Sequence, residues 1–333
     1  MARYKKILIV QTAFIGDVIL ITSLIRETKK LFPEAEIDIL VIPSTASILA
    51  NNPYLHKIVV FDKKKKKIPS FLKAMREIRS KNYDLALIPH SSFTTAFLVF
   101  MSGIRERIGF TRKLRALFLT KKILPPKNIH RLERNLSLLQ PFGLYDKDIR
   151  TELYPTDIDR KKADSIKLPE NKLLISVAPG SVWKTKCWPE EYYSELMNSL
   201  KDVADFLMIG SKQEEELCRN ILTTSGSTGI NYAGKTSILE SAALIEKSDL
   251  LLCNDSGAMH IANAMKTRVI AFFGPTVRDF GFYPYRDEDY ICEVDLDCRP
   301  CHHHGPVRCP LGHHNCMRMI KPESIKNIIL SLL

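Results

Sequence analysis

The chain has 333 residues, 45% of them hydrophobic, with 49 Lys and Arg against 37 Asp and Glu and a formal net charge of +12. That length exceeds one ordinary core and suits two domains of about 150 residues each. No run approaches the roughly 18 to 20 apolar residues of a membrane span, and the N-terminus enters a strand with no secretory pattern. The expected place is therefore the cytoplasm, and the charge favours an anionic partner, whether nucleic acid, acidic lipid or phosphorylated sugar.

Ile7 to Val10 reads as a buried strand, and Gln11 to Gly16 as a loop that delivers Asp17 to an amphipathic helix reaching about Leu31. An acidic residue there complements the positive end of the helix, and the same carboxylate is placed to act as a base. Strands follow at Ile37 to Ile42, Ile58 to Phe61 and Leu85 to Ile88, alternating with helices at Ser70 to Arg79 and Thr94 to Met101, the pattern of a parallel sheet. Lys63 to Lys67 is a run of five lysines, and Arg105, Arg107, Arg112, Lys113 and Arg115 form a second basic stretch. Such runs are solvated loops or anion-facing surfaces.

After a helix expected from Arg131 to Leu139, the segment Asp146 to Lys172 turns polar and Pro-marked. It divides the chain into domains at 1–160 and 161–333. Leu173 to Val177 opens a second sheet and ends in Ala178-Pro179-Gly180-Ser181, with Lys184, Lys186, Trp188 and Pro189 before a helix at Glu190 to Leu200. Phe206 to Ile209 is a strand, and Ser237 with Glu240 forms a capping box. From Ser248 to Thr276 the chain reads as strand, turn, helix, strand. Asp255, Ser256, Gly257 and His260 fall at a strand's carboxyl end, where a helix start offers free N–H groups to an anion. Helix capping by Asp255 or Ser256 is the competing explanation.

The tail holds Cys298, Cys301, Cys309 and Cys316 at C-x2-C-x7-C-x6-C spacing among His302, His303, His304, His313 and His314. A C-x2-C pair is half of a zinc site, and reduced structural cysteines are the alternative in a cytosolic protein.

The Gly16-Asp17 loop, Lys186 in K-x-W-P, D-S-G-x-x-H from Asp255 to His260 and F-G-P-T from Phe273 to Thr276 together resemble glycosyltransferase family 9, the bacterial heptosyltransferases of the lipopolysaccharide inner core. The tail C-P-L-G-H-H-N-C-M is most like the heptosyltransferase II branch. The resemblance implies an α/β GT-B fold, two Rossmann-like domains facing across a cleft. It implies an acceptor, heptosylated Kdo-lipid A, bound by the first domain at an anionic inner-membrane surface, and an ADP-heptose donor held by the second. Asp17 would be the base and Lys186 the partner of the leaving diphosphate, in an inverting transfer that requires no cofactor. Ser181 would touch the diphosphate, Glu214 the ribose, Thr236 the region near the base, and His260 phosphate or sugar. Asp255, Ser256 and Gly257 would complete the donor side, while Lys63, Lys64, Lys65, Arg107 and Arg112 would meet the acceptor. Two other readings stand beside this one: a family member using a different nucleotide sugar, and a basic nucleic-acid-binding protein with a zinc-ribbon tail.

Overall fold

The computed structural model describes residues 4–63, 67–90, 92–111, 113–143, 148–165 and 172–332. Lys64, Lys65 and Arg112 lie outside these residues. The chain forms two compact units, Met1–Tyr154 and Pro155–Leu333.

In the first unit, strands β1 Lys6–Val10, β2 Glu36–Val41, β3 Lys57–Val60, β4 Leu85–Ile88, β5 Glu106–Phe110 and β6 Lys121–Ile123 make one sheet in the order β3-β2-β1-β4-β5-β6. Every pair is parallel. Helices α1 Ile15–Ile19, α2 Thr22–Leu31, α3 Lys67–Ser80, α4 Phe93–Met101 and α5 Arg131–Leu136 connect or follow the strands. A parallel sheet covered on both faces selects continuous apolar strands. Leu8, Val10, Leu40, Ala86 and Ile88 are accordingly all in the core.

The helix expected from Asp17 to Leu31 is interrupted between α1 and α2. Side chains take over the carbonyls at the break: Thr22 Oγ1 donates to Ile19 O at 2.8 Å, and Asn135 Nδ2 to Leu20 O at 3.1 Å. Asp17 thus stands on a short helix of its own.

The second unit repeats the topology. Strands β7 Leu173–Ala178, β8 Ala204–Met208, β9 Gly229–Asn231, β10 Leu250–Asn254, β11 Arg268–Phe273 and β12 Tyr290–Glu293 pair in parallel as β12-β11-β10-β7-β8-β9. Its helices are α6 Asp157–Asp164, α7 Glu190–Leu200, α8 Glu215–Ser225, α9 Ile238–Lys247, α10 Gly257–Met265, α11 Asn315–Arg318 and α12 Pro322–Leu330. A boundary at 160/161 would cut α6. That helix belongs wholly to the second unit, because Arg160 pairs with Glu246 at 2.8 Å and Lys162 with Glu240 at 2.8 Å, both on α9. The capping box of Ser237 and Glu240 is present at the start of α9.

Each sheet reverses its strand order at one place, between β1 and β4 in the first unit and between β7 and β10 in the second. Chain leaving neighbouring strands there diverges to opposite faces and opens a crevice at the carboxyl edge, the place where α/β sheets bind ligands. Among the described residues, no helix is long and apolar enough to cross a membrane.

Candidate active site

The register Cys253↔Ala178 brings the ends of β7 and β10 level. One residue further on, Asn254 ties the two exits together. Its Nδ2 donates to Pro179 O at 2.8 Å, and its Oδ1 accepts from Trp188 N at 2.9 Å and from Tyr193 OH at 3.2 Å. Asn254 is fully buried. Trp188 is fixed in turn by Nε1 donating to Ile320 O at 2.9 Å and by stacking on Phe272 with centroids 4.4 Å apart. Asn254, not among the candidates named from the sequence, locks the K-x-W-P segment against the D-S-G segment.

That lock places Lys186 beside Asp255. Lys186 Nζ lies 2.5 Å from Asp255 Oδ2, and each side chain is only 11% exposed. Thr276 Oγ1 donates to the same carboxylate oxygen at 2.7 Å. Three of the sequence motifs therefore converge on one carboxylate. Ser256 is the N-cap of α10 in extended conformation, with no hydrogen bond from its side chain to the helix. Neither Asp255 nor Ser256 is spent as a side-chain cap, so the start of α10 keeps its backbone N–H groups directed to the crevice. Gly257 begins α10, and His260 is buried on its first turn.

Ser181 and Glu214 line a neighbouring cavity of about 780 Å³, with Gly180, Trp188, Tyr193 and Ser211 among its walls. Glu214 Oε2 accepts from Ser211 N at 2.6 Å and from Ser211 Oγ at 2.8 Å, closing a capping box. A Cβ at Gly180 would come within 1.8 Å of Glu214 Oε1, so only glycine admits the carboxylate here. Thr236 lies apart from this lining and shares a 2.8 Å hydrogen bond with Ser241 Oγ.

The Cys- and His-rich tail braces the same loops. His314 Nε2 is 2.7 Å from Thr185 O, and Cys301 N donates to Pro275 O at 3.1 Å. Arg299, its side chain 6% exposed, donates to Phe273 O at 3.1 Å and to Thr276 O at 3.0 Å, and its guanidinium pairs with Glu293 at 2.9 Å. Sequence reading missed Arg299, although an Arg set between the two cysteines of the C-x2-C pair was a signal. Cys298, Cys301 and Cys309 lie near enough to Cys316 for their charges to act on its thiol, while among the described residues no group of three or more His, Cys, Asp or Glu could hold a metal ion. Cys301 Sγ approaches Cys298 O at 3.1 Å, and burial pushes Cys316 up to about 11. Burial also works to raise Cys309, but N–H groups of residues 311–314 outweigh it and lower its thiol. All eight cysteines are free thiols.

In the first unit Asp17 sits in the first turn of α1, beyond the end of β1. The crevice between β1 and β4 is tied by Thr12 Oγ1 and Thr95 Oγ1, 3.0 Å apart. Lys63 turns into it rather than out to solvent, with Nζ 3.4 Å from Thr12 O and 3.5 Å from Ser92 Oγ. Burial lowers its ammonium to about 8. Arg107 donates to Phe118 O at 2.6 Å and to Ile104 O, so its guanidinium ties the chain entering β5 to the segment that follows it.

Two parallel sheets of the same strand order, the second carrying a nearly dry lysine–carboxylate pair and a helix start at its reversal, are the two Rossmann-like units of a GT-B fold. The fold is similar to that of Escherichia coli ADP-heptose lipopolysaccharide heptosyltransferase II, with a TM-score of 0.82 over 98% of both chains at 23% identity. The model of glycosyltransferase family 9 (heptosyltransferase) matches residues 71–309, and the chain belongs to this family. It is 30% identical over 279 residues to lipopolysaccharide heptosyltransferase 3 of Escherichia coli strain K12, covering 78% of this chain and 80% of that protein. It is also 25% identical over 326 residues to lipooligosaccharide heptosyltransferase 2 of Campylobacter jejuni subsp. jejuni serotype O:2, covering 96% of each.

Proposed function

We propose that this protein transfers L-glycero-D-manno-heptose from ADP-heptose to the heptosylated Kdo-lipid A inner core of lipopolysaccharide, with inversion, in the cytoplasm at the inner-membrane surface. The observation that supports the donor half is the Lys186–Asp255–Thr276 constellation beside the start of α10. Asp255 and Thr276 hold the ammonium where a diphosphate on the helix N–H groups would meet it. As the bond from the anomeric carbon to the diphosphate oxygen breaks, that oxygen takes the electron pair, and its growing charge is met by Lys186 and the helix dipole. The acceptor hydroxyl oxygen forms the new bond from the opposite face and gives its proton to the carboxylate of Asp17. Ser181 would touch the diphosphate and Glu214 the ribose, Thr236 and His260 would complete the donor contacts, and Lys63 with its neighbouring basic residues would meet acceptor phosphate or carboxylate. In this reading Lys186 and α10 supply the positive charge at the leaving group, so transfer proceeds without added metal or cofactor.

The test offers ADP, UDP and single-stranded DNA in thermal-shift titrations. ADP-heptose and heptosylated Kdo-lipid A are then supplied in chelator, and the acceptor is weighed by mass spectrometry. ADP alone should raise the melting temperature, and the acceptor should gain one heptose. Stabilisation by UDP in place of ADP, or by DNA alone, would overturn the donor assignment, and an unchanged acceptor mass would overturn the reaction.

A further inference from the structure

The first unit exposes an apolar face built from three consecutive helical segments. On α4, Phe93, Phe97, Phe100 and Met101 recur at i, i+4, i+7 and i+8, one stripe of a helix, and this stripe is turned outward: Phe93 is 53% exposed and Phe100 and Met101 are each 42% exposed. The 3-10 segment Lys113–Phe118 packs beside α4 and presents Leu114 and Leu117 at 69% and 71% exposure. On the other flank α3 offers Ile68, 73% exposed, and Leu72. The rings join the three segments. Phe71 stacks on Phe97 at 5.8 Å, and Phe118 meets Phe93 at 5.2 Å and Phe100 at 5.4 Å.

The sequence that builds this face is predominantly basic. Between Ser92 and Lys122 the sequence carries Arg105, Arg107, Arg112, Lys113, Arg115, Lys121 and Lys122, against the single acid Glu106. The Arg107 guanidinium lies over the Phe100 ring at 5.3 Å, which puts a cation at the margin of the aromatic cluster. Lys121 and Lys122 are exposed on β6, the edge strand beside β5, and Lys73 and Arg76 are exposed on α3.

We propose that this face of α3, α4 and residues 113–118 seats the protein on an anionic lipid bilayer, its Phe, Leu and Ile side chains entering the interface and its Lys and Arg meeting the headgroups. An exposed apolar patch of this extent marks an interaction surface. Aromatic and aliphatic residues rimmed by cations fit a surface that is apolar below and negative above. A second copy of this chain fits worse, because a twofold contact would set one basic rim against another. The inference deepens the proposed reaction by naming the surface that approaches a lipid-linked acceptor, and its readout does not involve transfer.

The test is cosedimentation of the full chain with phosphatidylethanolamine–phosphatidylglycerol vesicles and with phosphatidylcholine vesicles. Wild type should bind the former. The Ile68→Ser/Leu114→Ser/Leu117→Ser variant alters only exposed side chains and should keep the wild-type melting temperature while binding at least about tenfold more weakly, given the transfer cost of three exposed aliphatic groups. Leu117→Trp should show a blue-shifted emission with anionic vesicles. Unchanged vesicle binding by the triple variant, equal binding to phosphatidylcholine, or no shift at Trp would overturn the proposal. A concentration-dependent dimer abolished by the triple variant would make the face a self-interface instead.

Discussion

Lys186 Nζ and Asp255 Oδ2 stand 2.5 Å apart in the second unit, although 69 residues separate them in the chain. With both side chains nearly dry, each charge depends on the other, and removing one leaves its partner uncompensated. Lys186→Ala should weaken ADP binding and slow transfer together, since the same charge faces ground-state and leaving diphosphate. Asp255→Asn keeps the ammonium but loosens its position. In denaturation of wild type, both single variants and the double, the two losses should be non-additive by about 1 to 3 kcal/mol. Additivity within a few tenths would mean that the two side chains act independently.

Asn254 should prove as costly as either. Asn254→Ala strips partners from Trp188 N–H, the Tyr193 hydroxyl and Pro179 O inside the core. Leaving buried polar groups unsatisfied costs roughly 1 to 3 kcal/mol each, and the loop carrying Lys186 loses its anchor. The expected result is a large drop in the unfolding midpoint together with weaker ADP binding by calorimetry. A variant as stable as wild type that binds ADP normally would deny Asn254 this role.

The central strands were legible because a strand buried on both faces has no polar side to show, so Ile7 to Val10 and Leu250 to Cys253 stand out as continuous apolar runs. The strands β5, β6, β9 and β12 were not: β6, β9 and β12 are sheet edges and β5 lies next to one, where the sequence is charged or very short, as in Lys121-Lys122-Ile123. Family motifs located Lys186, Asp255 and Thr276, but their convergence depends on register between β7 and β10, which no local pattern encodes. The break after α1 was hidden for the same reason, since the group that accepts responsibility for Leu20 O is Asn135, 115 residues away. At Lys63 the lysine run looks uniform in sequence, and it is the fold that turns the Lys63 amine toward Thr12 and Ser92.

Asp17→Asn should leave the melting temperature and ADP affinity near wild type while lowering turnover by about two to four orders of magnitude, the usual contribution of a positioned base. An amide has the same shape but accepts no proton from the acceptor hydroxyl. The decisive measurement is single-turnover heptose transfer at saturating donor. A loss of only a few-fold would return Asp17 to the part of a helix-dipole partner.

Lys63 makes the last prediction a question of pH. Burial lowers its ammonium from 10.5 to about 8, so below pH 8 both folded and unfolded chains carry the charge and the fold bears the whole cost of burying it. Between about 8 and 10.5 the unfolded chain holds a proton that the folded chain has shed, and unfolding free energy should therefore rise with pH across that window relative to Lys63→Met. If the charged amine meets an anionic acceptor group, the acceptor KM should climb as pH passes about 8 in wild type. Lys63→Arg stays charged throughout and should keep its KM flat, whereas Lys63→Met should show a raised KM at every pH. Denaturation and acceptor titrations of the three proteins on either side of pH 8 separate the two effects. Parallel stability profiles for wild type and Lys63→Met would show that the amine is not held from solvent, and matching KM values would remove it from the acceptor site.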